Sequence, residues 1–275
     1  MATGCSSSTS SGASSTEQAS VSNTTSSGTE KIIVVGSTTV AAPMEKLEEA
    51  YEQIANVDIE IQGVGSSAGI QAAANGTANI GMASREIKES EKELGLEEIV
   101  IAKDSIAIVV HPSNPVDDLT IEQVKDIYEG TITNWSEVGG ENQPILVICR
   151  EDGSGTRGAF EEIIGLEMDI EGVTVSSVVQ TAVIQEGNGA VKATTAAQEN
   201  GIGFVSLGYI DDTISAIKIN GVEPTVETTL AGDYKISRPL LLVTSGDQGA
   251  AVDDFIEYIL SDGQEIVAET YIPVN

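Results

Sequence analysis

A repeated order of elements constrains the fold of this chain more than any other feature. An apolar strand is followed by a turn of small polar residues and then by a helix. Residues 32 to 35 predict a buried strand, residues 36 to 39 a small polar turn, and residues 40 to 54 a helix with one apolar face. The same order recurs at residues 57 to 74 and at residues 144 to 164. Alternation of this kind predicts an α/β fold with open, largely parallel sheets.

Composition indicates a globular protein with an acidic surface. The 275 residues carry a formal charge of −30, and 40% of them are hydrophobic. This charge argues against nucleic acid and against an anionic membrane surface as partners. No apolar run is long enough to span a bilayer. The residues suggest neither a metal-ligand cluster nor a cofactor motif, so we expect a chain without metal or cofactor.

The N-terminal stretch differs in composition from the rest. Residues 1 to 29 are mostly Ser, Thr, Gly and Ala, which predicts a disordered tether. Cys5 follows Gly4 in a pattern that resembles the lipidation box of bacterial lipoproteins, although the hydrophobic segment expected before such a box is missing. We therefore expect an extracytoplasmic protein, held to the outer face of the cell membrane by lipid on Cys5. The alternative is a chance Gly-Cys pair in a low-complexity tail.

The turn that follows the strand ending at Cys149 carries the clearest chemistry. Arg150 leaves this strand, and Ser154, Gly155 and Thr156 stand where a helix is predicted to begin. Free amides at a helix start carry partial positive charge, hydroxyls add donors, and arginine adds a bidentate fork. Such a set suits a tetrahedral oxyanion. It differs from a nucleotide P-loop, which has Gly-Lys-Ser/Thr at the corresponding place.

Other small turns with hydroxyl side chains follow strands at corresponding positions. They are Ser37-Thr38-Thr39, Ser66-Ser67 and Ser84-Arg85. Each one alone is also consistent with an ordinary helix cap. In an open α/β sheet, however, such turns project to the same edge, where ligands bind. We predict one shared anion site, because a hydrated oxyanion is bound only where many fixed donors replace its water.

Six stretches, taken together, resemble the phosphate-binding proteins of ABC-type phosphate importers, within the periplasmic-binding-protein class. They are Gly36-Ser-Thr-Thr-Val40, Gly63-Val-Gly-Ser-Ser-Ala-Gly69, Gly81-Met-Ala-Ser-Arg85, Gly130-Thr-Ile-Thr-Asn-Trp-Ser-Glu-Val-Gly-Gly140, Arg150-Glu-Asp-Gly-Ser-Gly-Thr156 and Gly201-Ile-Gly-Phe-Val-Ser-Leu-Gly-Tyr209. The resemblance covers residues 31 to 275. It implies a two-lobed, type II periplasmic-binding-protein fold, with an open, mostly parallel sheet flanked by helices in each lobe and the ligand cleft between them. The expected lobes are residues 30–107 plus 238–275 and residues 108–237.

The resemblance also implies which residues bind phosphate. By position they are Thr39, Val40, Ser66, Arg150, Ser154, Gly155 and Thr156, with Ser37 or Thr38 as substitutes in the first loop. We expect Ser84 to contact the ligand as well. In this pattern Thr39 contributes its hydroxyl and Val40 its backbone amide. Asp152 corresponds to the carboxylate that orients the arginine. Ser67, Arg85 and Asn188 are secondary candidates, with Arg85 adding charge or a tie between the lobes.

One position departs from the family pattern. Well-known members place an aspartate where this chain has Ser84, and that aspartate accepts the proton of bound phosphate. A carboxylate would repel fully ionised sulfate, whereas a hydroxyl donates or accepts and discriminates less sharply. Selectivity for phosphate over sulfate is therefore implied by the family more than by this residue.

The expected function is capture of inorganic phosphate and its delivery to ABC permease subunits, by a monomer that is not an enzyme. One alternative keeps the fold and changes the ligand to sulfate or molybdate. A phosphoester-processing enzyme, with Ser154 or Thr156 as nucleophile, is disfavoured because no credible base accompanies them. A role as surface adhesin or sensor stays open.

Overall fold

The structure, a computed structural model, describes residues 29–170 and 173–274. Cys5 and residues 1–28 of the predicted tether lie outside the described residues. The helices are Thr38–Glu52 (α1), Ser66–Ala74 (α2), Glu89–Lys92 (α3), Ile121–Glu129 (α4), Gly155–Ile164 (α5), Gly187–Ala197 (α6), Val226–Leu230 (α7), Ala250–Leu260 (α8) and Gln264–Val267 (α9). Within the described residues, none of them has both the length and the apolar character needed to cross a membrane.

The strands form the framework on which these helices pack. They are Glu30–Gly36 (β1), Val57–Gly63 (β2), Ile80–Ala83 (β3), Glu97–Val110 (β4), Asp118–Leu119 (β5), Leu146–Arg150 (β6), Glu167–Ile170 (β7), Val173–Ser176 (β8), Val183–Gln185 (β9), Gly201–Ser206 (β10), Ser215–Ala216 (β11), Lys218–Ile219 (β12), Ser237–Thr244 (β13) and Ile272–Pro273 (β14). Short 3-10 helices lie at Trp135–Val138 and Leu207–Tyr209.

The main sheet has the order β2-β1-β3-β13-β4-β10-β6-β9, with β11 and β14 also paired to β4. Its two outer parts are parallel, since β1 pairs with β2 and β3 and β6 pairs with β9 and β10. At the centre, β13 and β4 run antiparallel to their neighbours. The predicted two-lobed α/β fold is confirmed, and its lobes meet along the antiparallel strands.

Two large apolar clusters lie on either side of this meeting point. The first contains Leu47 and Phe255 and packs α1 and α8 against β1 and β3. The second contains Phe160 and Phe204, whose rings stack with their centroids 4.1 Å apart. The long strand β4 contributes residues to both clusters. Each lobe therefore buries its own apolar surface, while β4 and β13 connect the two.

Two sets of hydrogen bonds stabilise the first turn of helix α1, one from the cap at Ser37 and one from Tyr271. Ser37 Oγ accepts hydrogen bonds from the amides of Thr39 at 3.2 Å and Val40 at 3.4 Å. Pro43 lacks an N–H, so the carbonyl four residues earlier, that of Thr39, loses its helical partner. The hydroxyl of Tyr271 donates to that carbonyl at 3.2 Å. The C-terminal segment thus stabilises the start of α1.

Two predicted elements differ from the structure. The apolar run at residues 104 to 110 predicts a strand from the sequence. In the structure this strand begins at Glu97, because the mixed polar and apolar residues before 104 pair with β13. The sequence also predicts a strand at residues 173 to 179. In the structure this strand ends at Ser176 and forms a two-stranded hairpin with β7 instead of joining the main sheet.

Cys149 gives a test of this packing. The side chain is buried at the end of β6, and burial raises the pKa of its thiol to about 11. Since the thiolate is the reactive form, we expect a Cys5→Ser variant to label with a thiol reagent about a hundredfold more slowly in native buffer than in denaturant. Rapid labelling of the native variant would contradict the packing of β6.

Candidate functional site

Four helices begin at one place where the two lobes meet. Helices α1 and α2 belong to one lobe, and α5 and α6 belong to the other. Thr39 Oγ1 on α1 lies 3.3 Å from Thr156 Oγ1 on α5, and Asn188 Nδ2 on α6 donates to Thr39 Oγ1 at 2.9 Å. Free amides and the positive ends of the helix dipoles make this region suited to negative charge.

Three predicted serines form a buried cluster beside these helix starts. Ser37 Oγ donates to Ser84 Oγ at 2.8 Å, and Ser66 Oγ lies 3.4 Å from the same oxygen. The backbone amide of Ser84 donates to Ser66 Oγ at 3.0 Å. Gly155 packs directly on them, because a Cβ at this glycine would lie 2.0 Å from Ser66 Oγ and 2.6 Å from Ser84 Oγ. The first turn of α5 therefore closes against the opposite lobe with no spare space.

Arg150 is a buried arginine of the site and is only 1% exposed. Its Nε and Nη2 donate to the two carboxylate oxygens of Glu151 at 2.8 and 2.7 Å. Its Nη1 donates to Asn188 Oδ1 at 3.2 Å. The fork is thus fixed on one edge by a carboxylate and on the other by an amide that reaches the opposite lobe.

The prediction that Asp152 orients Arg150 is wrong in this structure, where Glu151 makes the contact. The side chain of Asp152 is 96% exposed and pairs with Arg157 at 2.6 Å. Glu151 directly follows the arginine at the end of β6, and it also accepts from the Gly187 amide at 3.3 Å. Burial raises the pKa of Glu151, but hydrogen bonds from Arg150 and the backbone outweigh burial and leave this pKa below its usual value.

A second buried arginine, Arg238, stands beside Thr39. Its Nε and Nη2 donate to Asp104 Oδ2 at 3.2 and 2.9 Å, and Nη2 also donates to Thr39 Oγ1 at 3.2 Å. Burial raises the pKa of Asp104 and lowers that of Arg238, while the opposite charge of each partner acts against both changes. Asp104 lies on β4 and Arg238 on β13, so this pair ties the strands that connect the lobes to the anion-facing end of α1.

Arg85 and Ser67 lie at the edge of the serine cluster. Arg85 forms a buried ion pair with Glu91 at 2.7 Å, and its Nη2 donates to Ser67 Oγ at 3.0 Å. The backbone amide of Ser67 donates to the carbonyl of Gly153 in the other lobe at 3.2 Å. This chain of contacts runs from Arg85 through Ser67 to Gly153 of the other lobe. It is consistent with the predicted role of Arg85 as a tie between the lobes.

Three other predicted phosphate-binding residues lie at the starts of helices α1 and α5. The carbonyl of Thr38 accepts from the Tyr209 hydroxyl at 3.1 Å, which is a further bond between the lobes. The amide of Val40 bonds to the cap of α1. Ser154 caps α5 by accepting from the amide of Arg157 at 3.2 Å. Direct contact of these three with an anion stays a prediction.

Comparisons with known proteins place this arrangement in a family. Residues 15–263 match the family described as PBP superfamily domain. The phosphate-binding protein PstS of Borreliella burgdorferi is 30% identical over 245 residues, which cover 86% of this chain and 88% of that protein. The chain belongs to the PstS family. PstS of Bacillus subtilis is 29% identical over 239 residues, covering 83% of this chain and 75% of that protein.

Solved structures agree with the PstS assignment. A putative phosphate ABC transporter substrate-binding protein from Clostridium perfringens, solved with bound phosphate, is 45% identical with a TM-score of 0.84. The match covers 90% of this chain and all of that chain, 100%. An ABC-type phosphate transport receptor from Vibrio cholerae is 37% identical with a TM-score of 0.75, covering 89% of this chain and 100% of that one.

Sequence reasoning missed several residues that shape this PstS site. They are Asp104, Glu151, Tyr209, Arg238 and Tyr271. The signal for two of them was present, because a charged residue within an apolar strand, such as Asp104 on β4 or Arg238 on β13, requires a buried partner of opposite charge.

The two adjacent carboxylates offer a matched test within this PstS chain. Glu151→Gln and Asp152→Asn each remove one negative charge, but only Glu151 holds the Arg150 fork. We expect Glu151→Gln to weaken phosphate binding about tenfold and Asp152→Asn to change it by less than about twofold. Calorimetric titration measures both. A larger loss for Asp152→Asn would restore the original assignment.

Proposed function

We propose that this chain captures inorganic phosphate outside the cytoplasm and delivers it to the subunits of an ABC permease. One observation carries the proposal: hydroxyls, helix starts and the Arg150 guanidinium from both lobes meet at one buried place. Membership of the PstS family supports phosphate as the anion. In this proposal the predicted contacts from Thr39, Ser66 and Thr156 are made directly to the ligand.

Closure of the lobes is the proposed mechanism of capture. We propose lobes of residues 30–107 plus 238–275 and residues 108–237, and the separate apolar clusters support this division. Because Ile106 and Ile236 pack in the same cluster, the boundary in β4 shifts towards residue 105. Each lobe supplies donors that do not complete the site alone, so phosphate stabilises the closed form by bridging them.

Selective binding of an anion is compatible with the acidic surface. The formal charge is −30, but charges farther away than about 8 Å are largely screened at physiological salt. Within the cleft, fixed amides, hydroxyls and a desolvated guanidinium replace the water around the anion. The local donors therefore outweigh the distant carboxylates.

Titration calorimetry of the purified protein with phosphate and with sulfate tests the function. The proposal predicts saturable binding of one phosphate per chain, with sulfate bound more weakly. Absence of phosphate binding would refute it. Recovery of the protein with its cognate permease subunits tests the delivery step separately.

A second candidate ligand is another oxyanion, such as sulfate or molybdate. It is favoured by Ser84, whose side chain contacts the hydroxyls of Ser37 and Ser66. A site lined by hydroxyls at this point does not repel a fully ionised anion as a carboxylate would. Sulfate affinity equal to phosphate affinity would favour this candidate.

The proposal describes a binding protein and not an enzyme. The relatives are binding proteins by name. Within residues 29–170 and 173–274, no group of three or more His, Cys, Asp and Glu side chains is placed to hold a metal ion. Hydrolysis of a phosphate ester at high protein concentration, abolished by Ser154→Ala, would contradict the proposal.

We also propose that the chain acts as a monomer attached to the outer face of the cell membrane through lipid on Cys5. The Gly-Cys pair and the polar stretch after it support this attachment. Mass spectrometry of the native protein is expected to show diacylglycerol on Cys5. The Cys5→Ser variant, which lacks the lipid attachment site, is expected to lose its association with the membrane. An unmodified cysteine in the native protein would remove the lipid anchor from the account.

A further inference from the structure

We propose that Asn188 and Arg238 hold the Thr39 hydroxyl as an obligate hydrogen-bond donor to the bound anion, which makes both of them positioning residues. The inference rests on the proposed phosphate function, because it assigns a task within the same site. It goes beyond the family pattern because Arg238 is not among the residues carried over by position.

The hydrogen bonds at Thr39 determine where its proton goes. Asn188 Nδ2 lies 2.9 Å and Arg238 Nη2 lies 3.2 Å from Thr39 Oγ1. Amide NH2 and guanidinium groups only donate, so together they occupy both lone pairs of the hydroxyl oxygen. The hydroxyl hydrogen is left free to donate. Its acceptor here is Thr156 Oγ1, at 3.3 Å, and a bound anion takes over that hydrogen bond.

The orientation of the Asn188 amide follows from its other partners. Asn188 Oδ1 accepts from Arg150 Nη1 and from the backbone amide of Ser206, each at 3.2 Å. Both partners are obligate donors, so the oxygen of the amide must face them and the NH2 must face Thr39. The side chain is completely buried, which keeps water from offering another arrangement.

The orientation of Arg238 is fixed by Asp104, which accepts from both Nε and Nη2. Only 4% of Arg238 is exposed. Within residues 29–170 and 173–274, its Nη1 is buried and has no hydrogen-bond partner. An unsatisfied buried donor is costly, and an anion nearby reduces that cost. Arg238 therefore favours an occupied site while it holds Thr39.

The hydrogen bond from Asn188 to Thr39 joins the two lobes. The hydrogen bond from Arg238 to Thr39 comes instead from β13, one of the strands that connect the lobes. A hydrogen bond between lobes is made only after they close. Its loss is therefore expected to speed release of phosphate and to leave the association rate nearly unchanged. Replacing a residue that is needed only for folding would not raise the dissociation rate of phosphate while leaving its association rate unchanged.

A double-mutant cycle tests the proposal. Phosphate affinity is measured for Asn188→Ala with Thr39 intact, with Thr39→Val and with Thr39→Ser, and circular dichroism checks folding. We expect about a tenfold loss with Thr39 intact or replaced by Ser. The loss should be about threefold smaller in Thr39→Val, which lacks the hydroxyl, and the loss that remains there reports the contact of Asn188 with Arg150. Stopped-flow measurements should place the loss in the dissociation rate.

The paired variant Asp104→Asn/Arg238→Met provides an independent cycle, because it removes both buried charges together. It should show the same dependence on the Thr39 hydroxyl. Equal losses in all three backgrounds would overturn the inference, since Asn188 or Arg238 would then act by another route. If the wild-type protein does not bind phosphate, the proposed function fails and this inference fails with it. If the wild-type protein binds phosphate but the losses of affinity are additive, only this inference fails and the proposed function stands.

Discussion

Arg150→Ala is expected to weaken phosphate binding by about a hundredfold to a thousandfold, because truncating one partner of a buried charged hydrogen-bonded pair costs about 2–5 kcal/mol. The variant loses the buried fork and leaves Glu151 without its partner close to the anion. The uncompensated carboxylate then repels phosphate as well. Calorimetry at constant ionic strength measures the loss.

Two further variants separate the role of the arginine from its effect on folding. Arg150→Lys keeps the charge without the planar fork, so we expect a loss of about tenfold. Arg150→Met/Glu151→Gln removes the ion pair as a unit, which avoids a buried unpaired carboxylate, and it should fold and yet bind weakly. Affinity within about threefold of the wild type in this double variant would contradict the role assigned to Arg150.

Gly155→Ala is expected to weaken phosphate binding about a hundredfold while the chain still folds, because overpacking a tight contact costs about 1–3 kcal/mol. The added Cβ would lie 2.0 Å from Ser66 Oγ, across the meeting of the lobes. Gly155 is the first residue of α5, where alanine is a better helix former than glycine. The closed form alone should therefore be destabilised.

Gly189→Ala is the matched control, since Gly189 also lies in the first turn of a helix that begins at the site. A Cβ at Gly189 would meet nothing within 4 Å. We expect its phosphate affinity to stay close to that of the wild type, and the melting temperature of both ligand-free variants to be unchanged or slightly raised. Full affinity in Gly155→Ala would show that the lobes do not close as tightly as described.

Much of the fold could be predicted from local patterns. The strand, turn and helix predicted for residues 32 to 54 follow from local hydrophobic periodicity, and they occur in the structure as β1 and α1. The turns at Ser37, Ser66 and Ser84 were expected to meet because turns after parallel strands share one edge of a sheet, and their hydroxyls do cluster.

What could not be predicted depends on contacts distant in sequence. The choice of Glu151 over Asp152 depends on side-chain direction at the end of β6, since one carboxylate is half-buried and the other is exposed. The pairing of Asp104 with Arg238 joins residues 134 positions apart. The role of Tyr271 depends on the Thr39 carbonyl, 232 residues earlier, which Pro43 leaves without its helical partner. No local periodicity carries such information.

A crystal structure of the protein with phosphate tests the central claim most directly. The account predicts one tetrahedral anion between the lobes, within hydrogen-bonding distance of Thr39 Oγ1, Ser66 Oγ, Thr156 Oγ1 and the Arg150 guanidinium. The Asn188 and Arg238 bonds to Thr39 should persist in that complex. Phosphate bound at another surface, with these side chains turned away from it, would contradict the account.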